Sequence, residues 1–244
     1  MKTYGSSTRE LSLLKGTILL TICAATASCG SPNSIAHQRD AQTPNVIVLM
    51  RDLKIESDTV VFFCSDNGPG DRLAKKGVAS AGPFKGHKHH MYEGGLLVPA
   101  CAEWPGVIQP GATTDVRCST VDYFPTIANI VGYELSSRRK RPIGGIDLMP
   151  VINGQVTERP ADLFFGFRRL HDGTDGKAII SGHYKLLKEA KEKGQMRLFD
   201  LKSDPGEQHD ILKKMPAVFD AMARKLKAVG MSCQLSRDGA DYSY

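Results

Sequence analysis

The chain has 244 residues, enough for one sizeable hydrophobic core, or one core with a small second one. Hydrophobic residues make up 41% and charged residues 24%, an ordinary globular balance that forces disorder on no large part of the chain. A net charge of +6 suits an anionic partner, but no interleaved basic and aromatic array of the kind that stacks bases is present, which argues against nucleic acid.

Residues 1–29 read as an export signal. Lys2, Arg9 and Lys15 make a basic start, and Gly16 to Ala27 is apolar and too short to span a bilayer. Thr26-Ala27-Ser28-Cys29 resembles a bacterial lipobox, with Thr26 where a leucine is usual. Cleavage and acylation at Cys29 both stay open, and the expected location is the periplasm or the envelope surface. Residues 30–43 are a polar linker. Val46-Ile47-Val48-Leu49-Met50, after Pro44, has the pattern of a buried strand.

Arg51 to Asp58 reads as the tail of a helix. Val60-Val61-Phe62-Phe63-Cys64 follows as a second strand buried on both faces, with Cys64 a small core residue. Two parallel strands need a crossover of about a dozen residues or more, and Arg51 to Asp58 supplies only eight. The Met50–Arg51 junction therefore reads as the scar of an internal deletion.

Ser65-Asp66-Asn67-Gly68 closes the second strand. In open α/β sheets ligands bind beyond the carboxyl ends of strands. Asp66 and Asn67 offer two adjacent hard oxygens suited to calcium, although Asp-Asn-Gly is also ordinary turn chemistry. Lys85-Gly86-His87-Lys88-His89-His90 packs three histidines and two lysines into six residues, either a solvated basic loop or a transition-metal tract. Tyr92-Glu93-Gly94-Gly95 then supports that loop, its glycines allowing backbone geometry closed to other residues.

Val98 to Trp104 is a third strand signal, turned by Pro105-Gly106. Asp122 to Val131 has helical spacing through Tyr123, Ile127, Ile130 and Val131, and Gly132 stops it. Ser136 to Arg141 is a charge run, a solvated loop or a steering patch for a polyanion. Leu163–Phe167, Ala178–Ser181, Tyr184–Leu187 and Arg197–Leu201 are short strands, the middle pair joined through Ser181-Gly182-His183. A last helix spans about 216–229, its apolar face made by Val218, Ala221, Met222 and Leu226. Outside the signal, Cys64, Cys101, Cys118 and Cys233 have no C-x-x-C spacing, which argues against zinc, and a Cys101–Cys118 bridge stays open.

The order Ser65-Asp66-Asn67-Gly68, Gly86-x-Lys88-x-x-x-Tyr92-Glu93-Gly94-Gly95, Trp104-Pro105-Gly106 resembles the second half of the type I sulfatases, of the alkaline phosphatase superfamily. Asp122, Pro125 and Thr126, Gly144 to Leu148, and Phe199-Asp200-Leu201 with Asp204-Pro205-Gly206-Glu207 extend the resemblance to about Ile211, and Pro44 to Met50 resembles the family's opening strand. The resemblance implies hydrolysis of sulfate esters, with Asp66 and Asn67 as calcium ligands and Lys88 as a sulfate contact. A cation and an ammonium both stabilise the charge that develops on a leaving sulfate-ester oxygen.

Two departures stand out. Leu97 occupies a position where many relatives carry Arg. The Cys- or Ser-x-Pro-x-Arg motif, whose first residue becomes the formylglycine nucleophile in the family, occurs nowhere in the chain. The nucleophile is thus missing and no catalytic residue is assigned. The expected fold is α/β, an incomplete alkaline-phosphatase-like sheet over 44–155 and a small antiparallel sheet plus helix over 156–244. The expected function is that of a sulfatase-family protein, catalytically incomplete, whose partner is a sulfated small molecule or glycan. The alternatives are a non-catalytic exported binder of sulfated polysaccharide and a remnant that does not fold.

Overall fold

A computed structural model describes residues 52–135, 143–168, 175–190 and 194–240. The export signal, Cys29, the linker, the Pro44–Met50 strand, the Met50–Arg51 junction and the Ser136–Arg141 charge run lie outside those residues. The chain divides into two compact units. One comprises residues up to Phe63 with Cys101–Pro110, and the other Cys64–Ala100 with Gly111 onward.

The first unit is small among the described residues. A 3-10 turn at Glu56–Asp58 precedes β1 (Val61–Cys64), which pairs with β2 (Ala100–Glu103) in a two-stranded sheet. The Trp104 indole N–H donates to the Ser57 carbonyl at 2.8 Å. Burial on both faces, expected for β1, is not found. Val60 is buried, but Val61 and Phe62 are half-buried and Phe63 is 51% exposed. Among the described residues this sheet has two strands and no flanking one, so an apolar residue on its open face lacks a described strand beside it to pack against. Cys64 is likewise only half-buried; Asp52 is helical, and turn residues and the 3-10 turn at Glu56–Asp58 lead from it to β1, as the tail of a helix would.

The second unit holds the core. β3 (Leu163–Arg168), β4 (Asp175–Ser181), β5 (Tyr184–Lys188) and β6 (Met196–Asp200) form an antiparallel meander in chain order. Ser181 pairs with Tyr184, and Gly182 at φ +59° makes the tight turn that only a glycine enters without strain. Alternation along the strands splits the core in two, because successive side chains point to opposite faces. Ala178, Ile180, Leu187 and Phe199 pack with Met91, Tyr92 and Leu201 on one face. Ile179, Leu186 and Leu198 pack on the other against Met222 and Leu226 of a C-terminal helix. The small antiparallel sheet plus helix is thus present as expected.

The shorter helices are α1 (Asp71–Lys75), α2 (Glu93–Leu96), α3 (Tyr123–Ile130) and α4 (Met149–Ile152). The C-terminal helix α5 runs from Pro216 to Arg237, eight residues beyond the expected stop at Val229. Its last turns have no buried residue and continue on local hydrogen bonding alone. The buried face of α3 also differs from expectation. Pro125, Thr126 and Ala128 are buried, whereas Val131 is 56% exposed and Tyr123, Ile127 and Ile130 are half-buried. Polar anchoring overrides the apolar periodicity there. Thr126 Oγ1 donates to the Asp122 carbonyl at 2.6 Å and accepts the Leu148 N–H at 2.9 Å, which turns that side inward.

Candidate functional site

The site lies in the second unit and is built mostly from backbone. Ser65 Oγ donates to the Asn67 carbonyl at 3.1 Å and shapes the turn. The Gly68 N–H donates to the Gly95 carbonyl at 3.1 Å, and the Lys88 N–H donates to the Pro69 carbonyl at 2.9 Å. The basic loop is therefore hydrogen-bonded to the residue two places after Asn67. This stitching brings Asp66, Asn67 and Lys88 onto adjoining backbone. Asp66 is exposed, and Asn67 and Lys88 are half-buried.

Glycine is needed here for close approach. A Cβ on Gly68 would lie 1.8 Å from the Gly94 carbonyl oxygen, and one on Gly95 would lie 2.3 Å from that of His90. On Gly94 it would lie 2.5 Å from the carbonyl oxygens of both Lys85 and Gly86. The conformational role expected for Gly94 and Gly95 gives way to this steric one, since neither has positive φ and both sit in α2. Gly86, at φ +85°, takes the left-handed turn instead.

The histidines divide. His87 Nε2 is 3.2 Å from Asp71 Oδ1, and its Nδ1 lies 3.0 Å from the Lys88 carbonyl. The His87 and His90 rings stack with centroids 4.1 Å apart, and His89 sits at φ +74° with its side chain exposed. Lys85 places its ammonium 4.3 Å from the centre of the buried Tyr92 ring, a cation–π contact. Of the two loop lysines, Lys85 is spent on the core, and Lys88 has no such ring partner among the described residues.

The donor chemistry at Asp66 and Asn67 suits a hard cation, since one offers a carboxylate and the other a carboxamide oxygen. Two side chains fall short of the roughly six to eight oxygens that calcium takes. Among the described residues no group of three or more His, Cys, Asp or Glu gathers to hold a metal. The turn is right for calcium in kind and incomplete in number. Cys64, Cys101, Cys118 and Cys233 are all free thiols.

Beneath the loop lies a buried ionic cluster that the sequence did not announce. Glu93, at the start of α2, is 1% exposed, and Lys185 on β5 and Glu207 after β6 are fully buried. Lys185 Nζ sits 2.8 Å from Glu93 Oε1 and 2.9 Å from Glu207 Oε1. Arg117 Nη1 lies 2.5 Å from Glu93 Oε2, and the Glu93 N–H donates to Glu207 Oε2 at 2.5 Å. Glu189, also buried, accepts the Met91 N–H. Burial alone would raise the Glu93 carboxyl, but the charges of Lys185 and Arg117 and their hydrogen bonds hold it below its ordinary value. At Glu207 burial wins, aided by repulsion from Glu93, and its carboxyl is pushed up in spite of Lys185.

Another buried carboxylate, Asp122, anchors the region after β2. Asp122 accepts from the Ser119 N–H at 2.7 Å, the Ile146 N–H at 2.9 Å, and both terminal nitrogens of Arg159 at 2.8 and 2.9 Å. The Asp-x-x-Pro-Thr resemblance thus marks an anchoring element.

The fold and these motifs define an alkaline-phosphatase-like protein, and comparison with known proteins agrees. A family model described as "N-sulphoglucosamine sulphohydrolase, C-terminal" matches residues 84–231, more than half of the chain, and one described as "Sulfatase" matches residues 34–133. The chain belongs to the sulfatase family. It is 38% identical over 161 residues to the N-acetylgalactosamine-6-sulfatase of Sus scrofa, covering 66% of this chain and 29% of that protein. It is 33% identical over 135 residues to the human steryl-sulfatase, covering 54% of this chain and 23% of that one. Among solved structures, Ps i-CgsB in complex with k-i-k-neocarrahexaose aligns with a TM-score of 0.65 at 25% identity, over 76% of this chain and 39% of its own. The chain therefore spans well under half the length of each of these relatives.

Proposed function

We propose that this chain recognises sulfate esters through Lys88, with Asp66 and Asn67 offering oxygens to calcium, and does not turn them over. The carrying observation is the backbone stitching of the Lys88 loop to the Asp66–Asn67 turn, through Lys88 to Pro69 and Gly68 to Gly95. A calcium held by those two oxygens and the Lys88 ammonium would both present positive charge to a sulfate. Turnover needs a nucleophile, and neither Cys-x-Pro-x-Arg nor Ser-x-Pro-x-Arg occurs in the 244 residues. Calcium, when bound, would supply charge stabilisation at the sulfate, and Lys88 would supply orientation and a point charge.

The relatives' names support this substrate class: an N-acetylgalactosamine-6-sulfatase, a steryl-sulfatase and a structure in complex with k-i-k-neocarrahexaose. A sulfated glycan is the first partner to try, and the +6 net charge favours a polyanion. The test is paired: hydrolysis of 4-nitrocatechol sulfate with calcium, and salt-sensitive binding of a sulfated galactan. Binding without hydrolysis is the expected result, and hydrolysis well above the blank would overturn the catalytic half of the proposal.

The closed core around β3–β6 supports a folded C-terminal part over a non-folding remnant, and a cooperative thermal transition of the soluble chain is the corresponding expectation. Export through residues 1–29 belongs to the same proposal. Labelling with radioactive palmitate separates acylation at Cys29 from plain cleavage.

A further inference from the structure

We propose that Lys185 is the positioning residue for Lys88, and that it sets the sulfate-contacting loop from inside the C-terminal sheet. This rests on the reading of Lys88 as the sulfate contact. Lys185 is fully buried on β5, whose backbone is held on both sides by β4 and β6. It touches no solvent and cannot meet a substrate, so its effect passes through other groups. Its ammonium bridges Glu93 and Glu207. Glu207 returns a second grip, accepting the Glu93 N–H, while Glu189, the residue directly after Lys188 at the end of β5, accepts the Met91 N–H.

Residues 91–93 are thereby fixed at both backbone and side chain to the end of the sheet. The loop hangs from that point. The Gly94 N–H donates to the Lys85 carbonyl at 2.7 Å, and the Lys88 N–H donates to Pro69. Moving Glu93 moves Gly94, and Gly94 is in steric contact with Lys85 and Gly86. Glu207 itself sits at φ +54°, a left-handed conformation that a glutamate adopts at a cost. The ion contact and the N–H bond of its carboxylate hold it there. A lysine suits the centre because one compact ammonium carries three donors and can serve two carboxylates, whereas a planar guanidinium needs more room.

The test is amide hydrogen exchange on the full chain. Lys185→Met alone leaves two carboxylates facing each other and risks unfolding the protein. The double variant Lys185→Met with Glu207→Gln removes one charge of each sign and leaves Glu93 paired with Arg117. The expected result is acceleration of exchange at the Lys88 and Gly94 amides on the order of tenfold or more, with amides of β4 and α5 within about twofold of wild type. Unchanged exchange at Lys88 and Gly94 would overturn the proposal. So would uniform acceleration throughout β4 and α5, which would make Lys185 a support of the whole fold. Titration of wild type and Lys88→Ala with inorganic sulfate judges the sulfate-contact reading separately, because the exchange experiment contains no ligand.

Discussion

Gly94→Ala tests the tight packing of the loop against the turn. The added Cβ would lie 2.5 Å from the carbonyl oxygens of both Lys85 and Gly86. A carbon and a carbonyl oxygen settle at about 3.3 Å or more, so the loop must retreat by roughly 0.8 Å. Such overpacking costs about 1–3 kcal/mol. The retreat also stretches the 2.7 Å bond from the Gly94 N–H to the Lys85 carbonyl, worth about 0.5–1.5 kcal/mol. Alanine's better helix propensity returns up to about 1 kcal/mol, since residue 94 lies in α2. The expected net loss lies between about 0.5 and 4.5 kcal/mol, centred near 2–3, read from the urea midpoint at constant slope. Gly230→Ala is the control. It lies inside α5 with nothing within 4 Å of the new Cβ, and should stabilise by about 0.5–1 kcal/mol. A Gly94→Ala protein as stable as wild type would refute the close-packing argument.

Asp122→Ala strips the partner from Arg159, which is 8% exposed, and should cost about 3–5 kcal/mol by denaturant unfolding; a loss below about 1 kcal/mol would contradict the anchoring role. Leu226→Ala empties a buried contact between α5 and the sheet and should cost about 2–4 kcal/mol, whereas the exposed Leu235→Ala should change stability by less than about 0.5 kcal/mol. Hydrogen bonds from Lys177 and Lys188 lower the Asp175 carboxyl to about 2. Its folded pKa lies below the ordinary 3.8, so its stabilisation is present above that value and is lost as pH falls toward about 2. Carbon-13 titration of the Asp175 carboxyl should show the low midpoint, and an ordinary midpoint would contradict the double pairing.

The C-terminal sheet was legible because its strands carry local signals. Apolar runs such as Leu163 to Phe165 and Ala178 to Ile180, and a glycine at the Ser181–Tyr184 turn, specify a meander without reference to distant residues. The Lys88 loop was legible through motif order. What escaped was every feature decided by long-range packing. Lys185 in the middle of a strand reads as a solvent-facing residue, and only the arrival of Glu93, 92 positions earlier, and of Glu207 makes it a core group. Glu93 and Glu207 sat inside recognised motifs, yet nothing local marks a glutamate as fully buried. The reverse error affected Phe63 and Val131, whose apolar character promised burial that their own element cannot provide. The buried face of α3 was misread for a related reason, because Asp122 and Thr126 are fixed by partners at Ile146, Leu148 and Arg159, far along the chain.

The proposal that Lys88 contacts a sulfate rests on the hydrogen bonds that tie its loop to the residues after the Asp66–Asn67 turn. Its most direct test is the affinity of wild type and Lys88→Ala for a sulfated galactan oligosaccharide in calcium-containing buffer at fixed salt, with unfolding midpoints measured on the same samples. Wild type is expected to bind and Lys88→Ala to bind at least roughly tenfold more weakly, with the midpoint unchanged because the Lys88 contact that holds the loop is made by backbone. Equal affinity of the two proteins at equal stability would contradict it.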